Sequence, residues 1–316
     1  MGLLASRALR IALLLGLVAA LAGIYLAFLR PWHARWGASD GEVARALPGD
    51  ELWPDPARVE TRAITISAPA EEVWAWVRQL GQDRGGFYSY EWLENLARAR
   101  IRNADRLLPD LPERTPGEKL WLASPEEWGG TAFVLVARND PGRALVTLTH
   151  VGADEAPVGT WAFVVEPLGP DRARLLVRSR AGRAAAPPRL GWRLFDLLVF
   201  EPAHFVMERR MMLGIAERAE RRLPPGWRNV AEVATWMAAL AVLLAAGLSA
   251  LWRRAHPRPF LLFAAAGAAL LLLPTLRPPL AVSAAAATLL VAAVPWSFGG
   301  RRAPGGLALG HVRLPR

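Results

Sequence analysis

Apolar and polar positions divide this chain into stretches that call for different structures. Residues 11–29 carry no charge, and neither do 233–252, 260–276 and 280–296. A helix needs about 20 apolar residues to cross a ~30 Å hydrocarbon core, with ~17 as the lower limit. The first two runs meet that length. The last two sit near the limit, and either span with little tilt or form a re-entrant hairpin about Arg277-Pro278-Pro279. Pro274 inside the third run predicts a kink or an early end. Ala20-Leu21-Ala22 offers a signal-cleavage pattern in the first run, but the run continues through Ile24, Leu26 and Leu29. It therefore exceeds the usual ~7–15 residue signal core, which favours an anchor. Four spans are expected.

Between the first and second runs the periods are shorter. Residues 59–67 read as a strand, with Ile64 and Ile66 on one face and Thr65 on the other. Pro69 suits a helix start, and Glu71 and Glu72 suit the positive end of its dipole. Val73, Val77 and Leu80 then recur at helical spacing until Gly81. The loop Arg84-Gly85-Gly86 leads to a second helix opening near Ser89. Arg98, Arg102 and Arg106 would form a basic stripe on a helix, facing either anionic headgroups or solvent. Pro109, Pro112 and Pro116 close the region.

Turn signals at Gly129-Gly130, Asn139-Asp140-Pro141-Gly142 and Gly169-Pro170-Asp171 mark a meander. Its strands are expected at 119–124, 131–138, 144–150, 160–166 and 173–180. In the last, Ala173, Leu175, Val177 and Ser179 alternate with Arg174, Leu176, Arg178 and Arg180. One dry and one wet face predicts an antiparallel sheet covered on a single side. Residues 202–222 supply the cover, a helix about 30 Å long. His204, Met207, Met211 and Ile215 make its stripe, beside Phe205, Met212 and Ala216. The order predicts an α+β, helix-grip domain, a curved antiparallel sheet wrapped on a long C-terminal helix, flanked by transmembrane helices. The expected divisions are an anchor at 1–30, the grip domain at 31–228, about three spans at 229–298 and a basic tail at 299–316.

Three stretches carry a family resemblance: Gly85-Gly86-Phe87-Tyr88-Ser89-Tyr90-Glu91-Trp92-Leu93-Glu94-Asn95, then Asn103-Ala104-Asp105-Arg106, then Phe205-Val206-Met207-Glu208-Arg209-Arg210-Met211. Together they resemble a bacterial branch of the START/polyketide-cyclase (SRPBCC) superfamily, over roughly residues 51–222. The resemblance implies a deep, largely apolar cavity between sheet and C-terminal helix. Superfamily members bind lipids, sterols, polyketides or hormones, and some are cyclases or dehydratases. No catalytic set is common to them all, so none is carried over.

The net charge of +10 and pI of about 11.2 invite a nucleic-acid reading, which position removes. Residues 31–228 hold 27 basic and 27 acidic residues and are neutral. The excess lies in or near the apolar runs, so the concentrated basic face that phosphate binding requires is missing. With the N-terminus inside, Arg7, Arg10, Arg253, Arg254, Arg258, Arg301, Arg302, Arg313 and Arg316 are cytoplasmic, against Arg277 in a short outer loop. That places the grip domain outside the inner membrane of a bacterium; an even number of spans also permits the inverse. The absence of cysteine excludes disulfides, thiolate metal sites and a cysteine nucleophile.

The candidate ligand-binding residues are Tyr88, Tyr90, Trp92, His150, His204, Met207 and Met211. The aromatics should rim the pocket, each tyrosine offering an apolar body and a polar tip, or else plug loop to helix. His150 shares a strand face with Val146 and Leu148; His204 can serve a ligand oxygen as donor, acid or base. Both histidines have bland alternatives, at a strand end and in a solvated helical turn. Met207, Met211 and Met212 suit either a core or a cavity that adapts to apolar ligands. Glu94 and Asp105 are the carboxylates best placed for proton transfer, with Asp105–Arg106 a plausible structural ion pair. There is no G-x-S-x-G, Walker, G-x-G-x-x-G or H-E-x-x-H pattern, and two histidines do not suggest a metal site. The expectation is a membrane-anchored domain holding a hydrophobic small molecule or lipid without cofactor or metal. The alternative is a cyclase- or dehydratase-like enzyme using the same cavity.

Overall fold

The structure, a computed structural model, describes residues 6–150, 156–182, 189–252 and 256–298. Helix α1 (Arg7–His33) runs into a short helix α2 (Asp40–Ala44), strand β1 (Arg58–Ile66), α3 (Ala70–Arg78) and α4 (Glu91–Leu96). Five strands follow: β2 (Lys119–Trp121), β3 (Phe133–Asp140), β4 (Ala144–His150), β5 (Pro157–Gly169) and β6 (Arg172–Ala181). Helix α5 (Leu190–Phe195) continues through a π-helical turn (Asp196–Phe200) into the long α6 (Glu201–Ala219). The chain ends in α7 (Trp227–Trp252), α8 (Arg258–Leu276) and α9 (Leu280–Phe298).

Among the described residues, six strands form one antiparallel sheet in the order β1-β6-β5-β4-β3-β2. The α+β helix-grip architecture expected from the pattern is therefore present. Helix α6 lies across the sheet, and Met211, Met212 and Ile215 meet Leu145, Phe163, Leu175 and Val177 in the main core. This packing fills much of the hollow that the resemblance implies.

The other sheet face is not wet. Arg174, Arg178 and Arg180 alternate away from the core as expected, but they clasp a strap formed by residues 34–54. Arg174 donates to Glu42 Oε1 at 2.7 Å and to Gly37 O at 2.6 Å. Arg178 reaches Asp50 Oδ2 at 2.6 Å and the carbonyls of Glu42, Val43 and Arg45, and Arg180 reaches Trp53 O. Arginine makes such a strap possible because its planar fork satisfies several acceptors at once. Leu47 fills the gap beneath, against Ala63, Ala144, Val164 and Leu176.

The strap also closes an edge. Thr61 N donates to Ala34 O and Ala63 N to Trp36 O, so β1 has no open hydrogen-bonding rim there. Gly37 is obligatory at that approach. Its φ is +71°, and a Cβ would stand 2.1 Å from Ala63 O.

Two further expectations differ from the structure. Helix α4 stops at Leu96, and Arg98 and Arg100 take left-handed backbone angles. Arg98, Arg102 and Arg106 therefore share no helical stripe. Arg218, not Arg106, pairs with Asp105, at 3.3 Å. Helix α5 and its π-helical continuation were absent from the expected elements, because apolar residues crowd every side of that segment and blur the period.

Four helices among the described residues are long and apolar enough to cross a membrane: Arg7–His33, Trp227–Trp252, Arg258–Leu276 and Leu280–Phe298. They pack through small side chains. Ala246 of α7 meets Leu262 and Ala266 of α8, and Gly267 admits Leu21 of α1 where a Cβ would stand 2.5 Å from its Cδ1. Helix α8 continues past Pro274 and ends at Arg277, whose φ is +50°.

The Arg174 guanidinium holds the Glu42 carboxyl at about 2, well below its usual 4.5. A depressed carboxyl stabilises the fold above 4.5, and that contribution is lost as pH falls through about 2. Glu42→Gln should therefore lower stability at neutral pH by less than about 3.4 kcal/mol, the ceiling at ~1.36 kcal/mol per pH unit, because solvent screens part of the pairing. The difference between wild type and variant in thermal unfolding should shrink as pH drops from 4.5 to 2.

Candidate functional site

The site is built on a buried arginine. Arg62 of β1 is fully enclosed, donating through Nε to His33 O at 2.8 Å, through Nη1 to Glu208 Oε1 at 2.5 Å and through Nη2 to Glu60 Oε2 at 3.0 Å. Its guanidinium also lies over the Phe205 ring, 5.2 Å from the centroid. Glu60 and Arg62 sit two apart, so they share the strand face that looks toward α6. Burial alone would raise the Glu208 carboxyl, but Arg62 overcomes this and holds it below the usual carboxylate range. The second Glu208 oxygen accepts from Trp161 Nε1 at 2.8 Å and lies 3.9 Å from His204 Nε2.

Beside this network is an open pocket of about 380 Å³ at the N-terminal end of α6. Phe87, Leu122, Trp161, Phe200, Ala203, Met207 and Met211 give it an apolar wall, and Ser89, Glu94, His204 and Glu208 give it polar points. Ligand sites typically measure ~300–1,000 Å³, so this one is small. Ser89 is already engaged, donating to Met207 O at 2.9 Å. Withdrawal from water pushes the His204 imidazole below its ordinary value, and Glu208 offsets that only in part. Its ring stacks on Phe200 at 5.9 Å between centroids. Glu94 differs from the other polar points. Burial, helped by Glu91, pushes its carboxyl up to about 7, and its Oε2 is buried without a hydrogen-bond partner. A carboxyl poised there can donate a proton to a ligand oxygen or accept one from it.

The structure brings together His204, Met207 and Met211 in this pocket. Tyr88, Tyr90 and Trp92 line a second pocket of about 390 Å³, with Arg210, Arg218 and the first turns of α7. The loop before α4 bends at Tyr88 and Ser89, and the left-handed φ of +57° at Tyr88 turns its side chain away from that of Phe87. Phe87 lines the first pocket only, Tyr88 and Tyr90 the second only, and Ser89 lies between and lines both. Tyr88 is enclosed beneath α6, donating to Trp76 O at 3.2 Å, and its backbone is close enough that a Cβ on Gly214 would stand 2.2 Å from Tyr88 O. Tyr90 donates to Glu232 Oε2 at 2.9 Å at the foot of α7, while Trp92 is largely exposed. His150 ends β4, 6.1 Å from the Phe133 ring centroid, and lines neither pocket. Met212 is core.

The glycine and asparagine residues of the resembling stretch brace this loop. Asn103 Oδ1 accepts from Phe87 N at 3.1 Å and Tyr88 N at 2.6 Å, and Asn95 makes two hydrogen bonds with the Ile101 backbone. A Cβ on Gly86 would meet Arg102 O at 2.7 Å. Glu208 and Arg62 escaped the sequence reading, although a signal was present. Glu60 and Arg62 continue the face of Ile64 and Ile66, and charges on a dry face demand partners.

Among the described residues, no group of three or more histidine or acidic side chains could hold a metal. No protein-family model and no curated protein matches this chain. Several solved structures are similar over about half of it. A Mesorhizobium loti protein is 14% identical, with a TM-score of 0.32, covering 53% of this chain and 100% of its own. The Zhui aromatase/cyclase from Streptomyces sp. R1128 is 15% identical, with a TM-score of 0.29, covering 53% and 96%. A START superfamily protein from Mycobacterium smegmatis is 15% identical, with a TM-score of 0.25, covering 49% and 97%. Such scores carry no functional argument, and the fold is read from its own topology.

Two outcomes test this description. Arg62→Met removes the buried cation that Glu60 and Glu208 share, leaving Glu60 only Arg58 at 4.0 Å and Glu208 only Trp161 and His204, so it should cost up to about 3–5 kcal/mol in unfolding experiments. Adding Glu60→Gln and Glu208→Gln should recover most of that loss. For Glu94, a raised folded value means that stability is lost as pH climbs from 4.5 through about 7. Glu94→Gln should raise the thermal midpoint at pH 8 and leave it unchanged at pH 4.

Proposed function

We propose that the protein is a membrane-anchored binding domain for a small hydrophobic molecule carrying one oxygenated group. The observation that carries this reading is the pocket at the N-terminal end of α6. Its wall is apolar, and Glu94 stands in it with an unpartnered oxygen. Apolar walls supply affinity without direction, while one or two polar groups fix the ligand's orientation. His204 supplies the second such group. The pocket is too small for a two-chain phospholipid, so a free acid, alcohol or ketone of modest size fits better.

The four apolar helices set the surroundings. Their domain-side ends are His33, Trp227, Leu276 and Leu280, and Arg277 stands beside them with its charge paired to Glu232. The sequence puts the other short-loop arginines at the opposite ends. The positive-inside rule then makes the domain extracytoplasmic.

Acid–base chemistry on such a ligand is the second reading. The near-neutral Glu94 carboxyl in the same pocket as His204 favours it, because a general acid or base works best with a pKa near ambient pH.

Ala203→Trp, on the exposed side of the pocket wall, should fill the space with little strain on the core. Native mass spectrometry of wild-type protein released from nanodiscs should show a bound species of low mass, lost in Ala203→Trp. Wild type that emerges empty from a total-lipid extract would overturn the binding reading. Turnover of that species, abolished by Glu94→Gln, would select the enzymatic one.

A further inference from the structure

Helix α6 carries two contacts that fix its attitude to the bilayer. Near its start, Glu201 accepts from Arg30 Nε at 2.7 Å and also pairs with Arg58. Arg30 belongs to the last turn of α1. Eight residues later, Arg209 donates to Thr275 O at 2.6 Å and Leu276 O at 3.3 Å, the last carbonyls of α8. Those eight residues span about 12 Å of helix. Both anchors sit at domain-side ends of apolar spans, so this part of α6 lies across those ends, in the plane where headgroups would be.

The chain leading into α6 is helical throughout, and Phe200 and Glu201 keep helical backbone angles. Residues Leu190–Phe195 and Asp196–Phe200 therefore project along that plane for about 16 Å beyond the α1 contact. The projecting part is apolar and bare. Leu190 is 71% exposed, Trp192 65%, Val199 50% and Phe200 51%, with Leu194 and Phe195 close behind. Asp196 is turned toward Arg58, 3.7 Å away, while Arg193 remains to meet a phosphate. Tryptophan, phenylalanine and leucine with a basic residue are the composition of a helix that lies in an interface.

We infer that the helix Leu190–Phe200 is seated in the headgroup–acyl boundary of the membrane that holds the four spans. The inference rests on the membrane reading of those spans and not on occupancy of the pocket. What argues for lipid over a second copy of the chain is continuity: the apolar surface prolongs a helix already tied to the ends of α1 and α8. Phe200 lines both this surface and the pocket, so the seating brings the pocket mouth to the edge of the hydrocarbon. A ligand dissolved in the bilayer then enters without crossing water.

The absence of cysteine gives a clean test in the full chain. Leu190→Cys, Trp192→Cys, Leu194→Cys, Phe195→Cys and Val199→Cys are spin-labelled singly and reconstituted in phosphatidylcholine–phosphatidylglycerol vesicles. Leu15→Cys in mid-α1 and Leu168→Cys at the exposed end of β5 serve as references for lipid and water. Collision with oxygen relative to a water-soluble nickel chelate should be several-fold higher at the helix positions than at Leu168, placing labels about 5–10 Å below the phosphates. Helix labels as accessible to nickel as Leu168, while Leu15 reads lipid, would overturn the inference and leave the spans intact. Dipolar broadening between copies at these positions would overturn it in favour of a dimer. A Leu15 label reading water would overturn it together with the membrane reading.

Discussion

A charged side chain buried beside an apolar core holds the structure together. Arg62 takes a carbonyl from the end of α1, a carboxylate from its own strand and another from α6. A buried ion pair contributes little net stability over an apolar substitute, but an incomplete one costs several kcal/mol. The constraint is therefore geometric. Span, sheet and grip helix must all be in place before any of the three charges is tolerable. The same Glu208 that answers Arg62 also receives Trp161 and faces His204, so the pocket wall inherits its rigidity from this pairing.

Much of the architecture was legible because period and turn chemistry are local. The meander's strands followed from Asn139-Asp140-Pro141-Gly142 and Gly169-Pro170-Asp171, and β6 kept the alternation expected of it. What was hidden depends on partners distant in sequence. Arg174, Arg178 and Arg180 look like a solvated face when β6 is read alone; the strap that covers them lies more than a hundred residues earlier. Tyr88 and Tyr90 posed a different difficulty. The loop turns through a left-handed backbone angle at Tyr88, and only the braces from Asn103 and Gly214 decide which of its side chains face the pocket.

The candidate site shows the same division. His204, Met207 and Met211 recur on one helical stripe, and the stripe falls on the pocket as a periodicity argument allows. Glu94 gains its unusual character only from burial beside Glu91, which no spacing rule reveals. Helix α5 lay outside reach because a segment apolar on most sides has no preferred face until something else supplies one.

The strap has a mechanical corollary. Helix α1 ends at His33, and Ala34 and Trp36 already pair with β1. Between the apolar helix and the sheet there is no slack: the first residue after the helix is the first residue of the domain's edge. A domain so joined cannot swivel on α1. With α1 seated in a membrane as proposed above, one fixed flank of the domain would face the lipid, and a ligand dissolved there would arrive by diffusion within that plane.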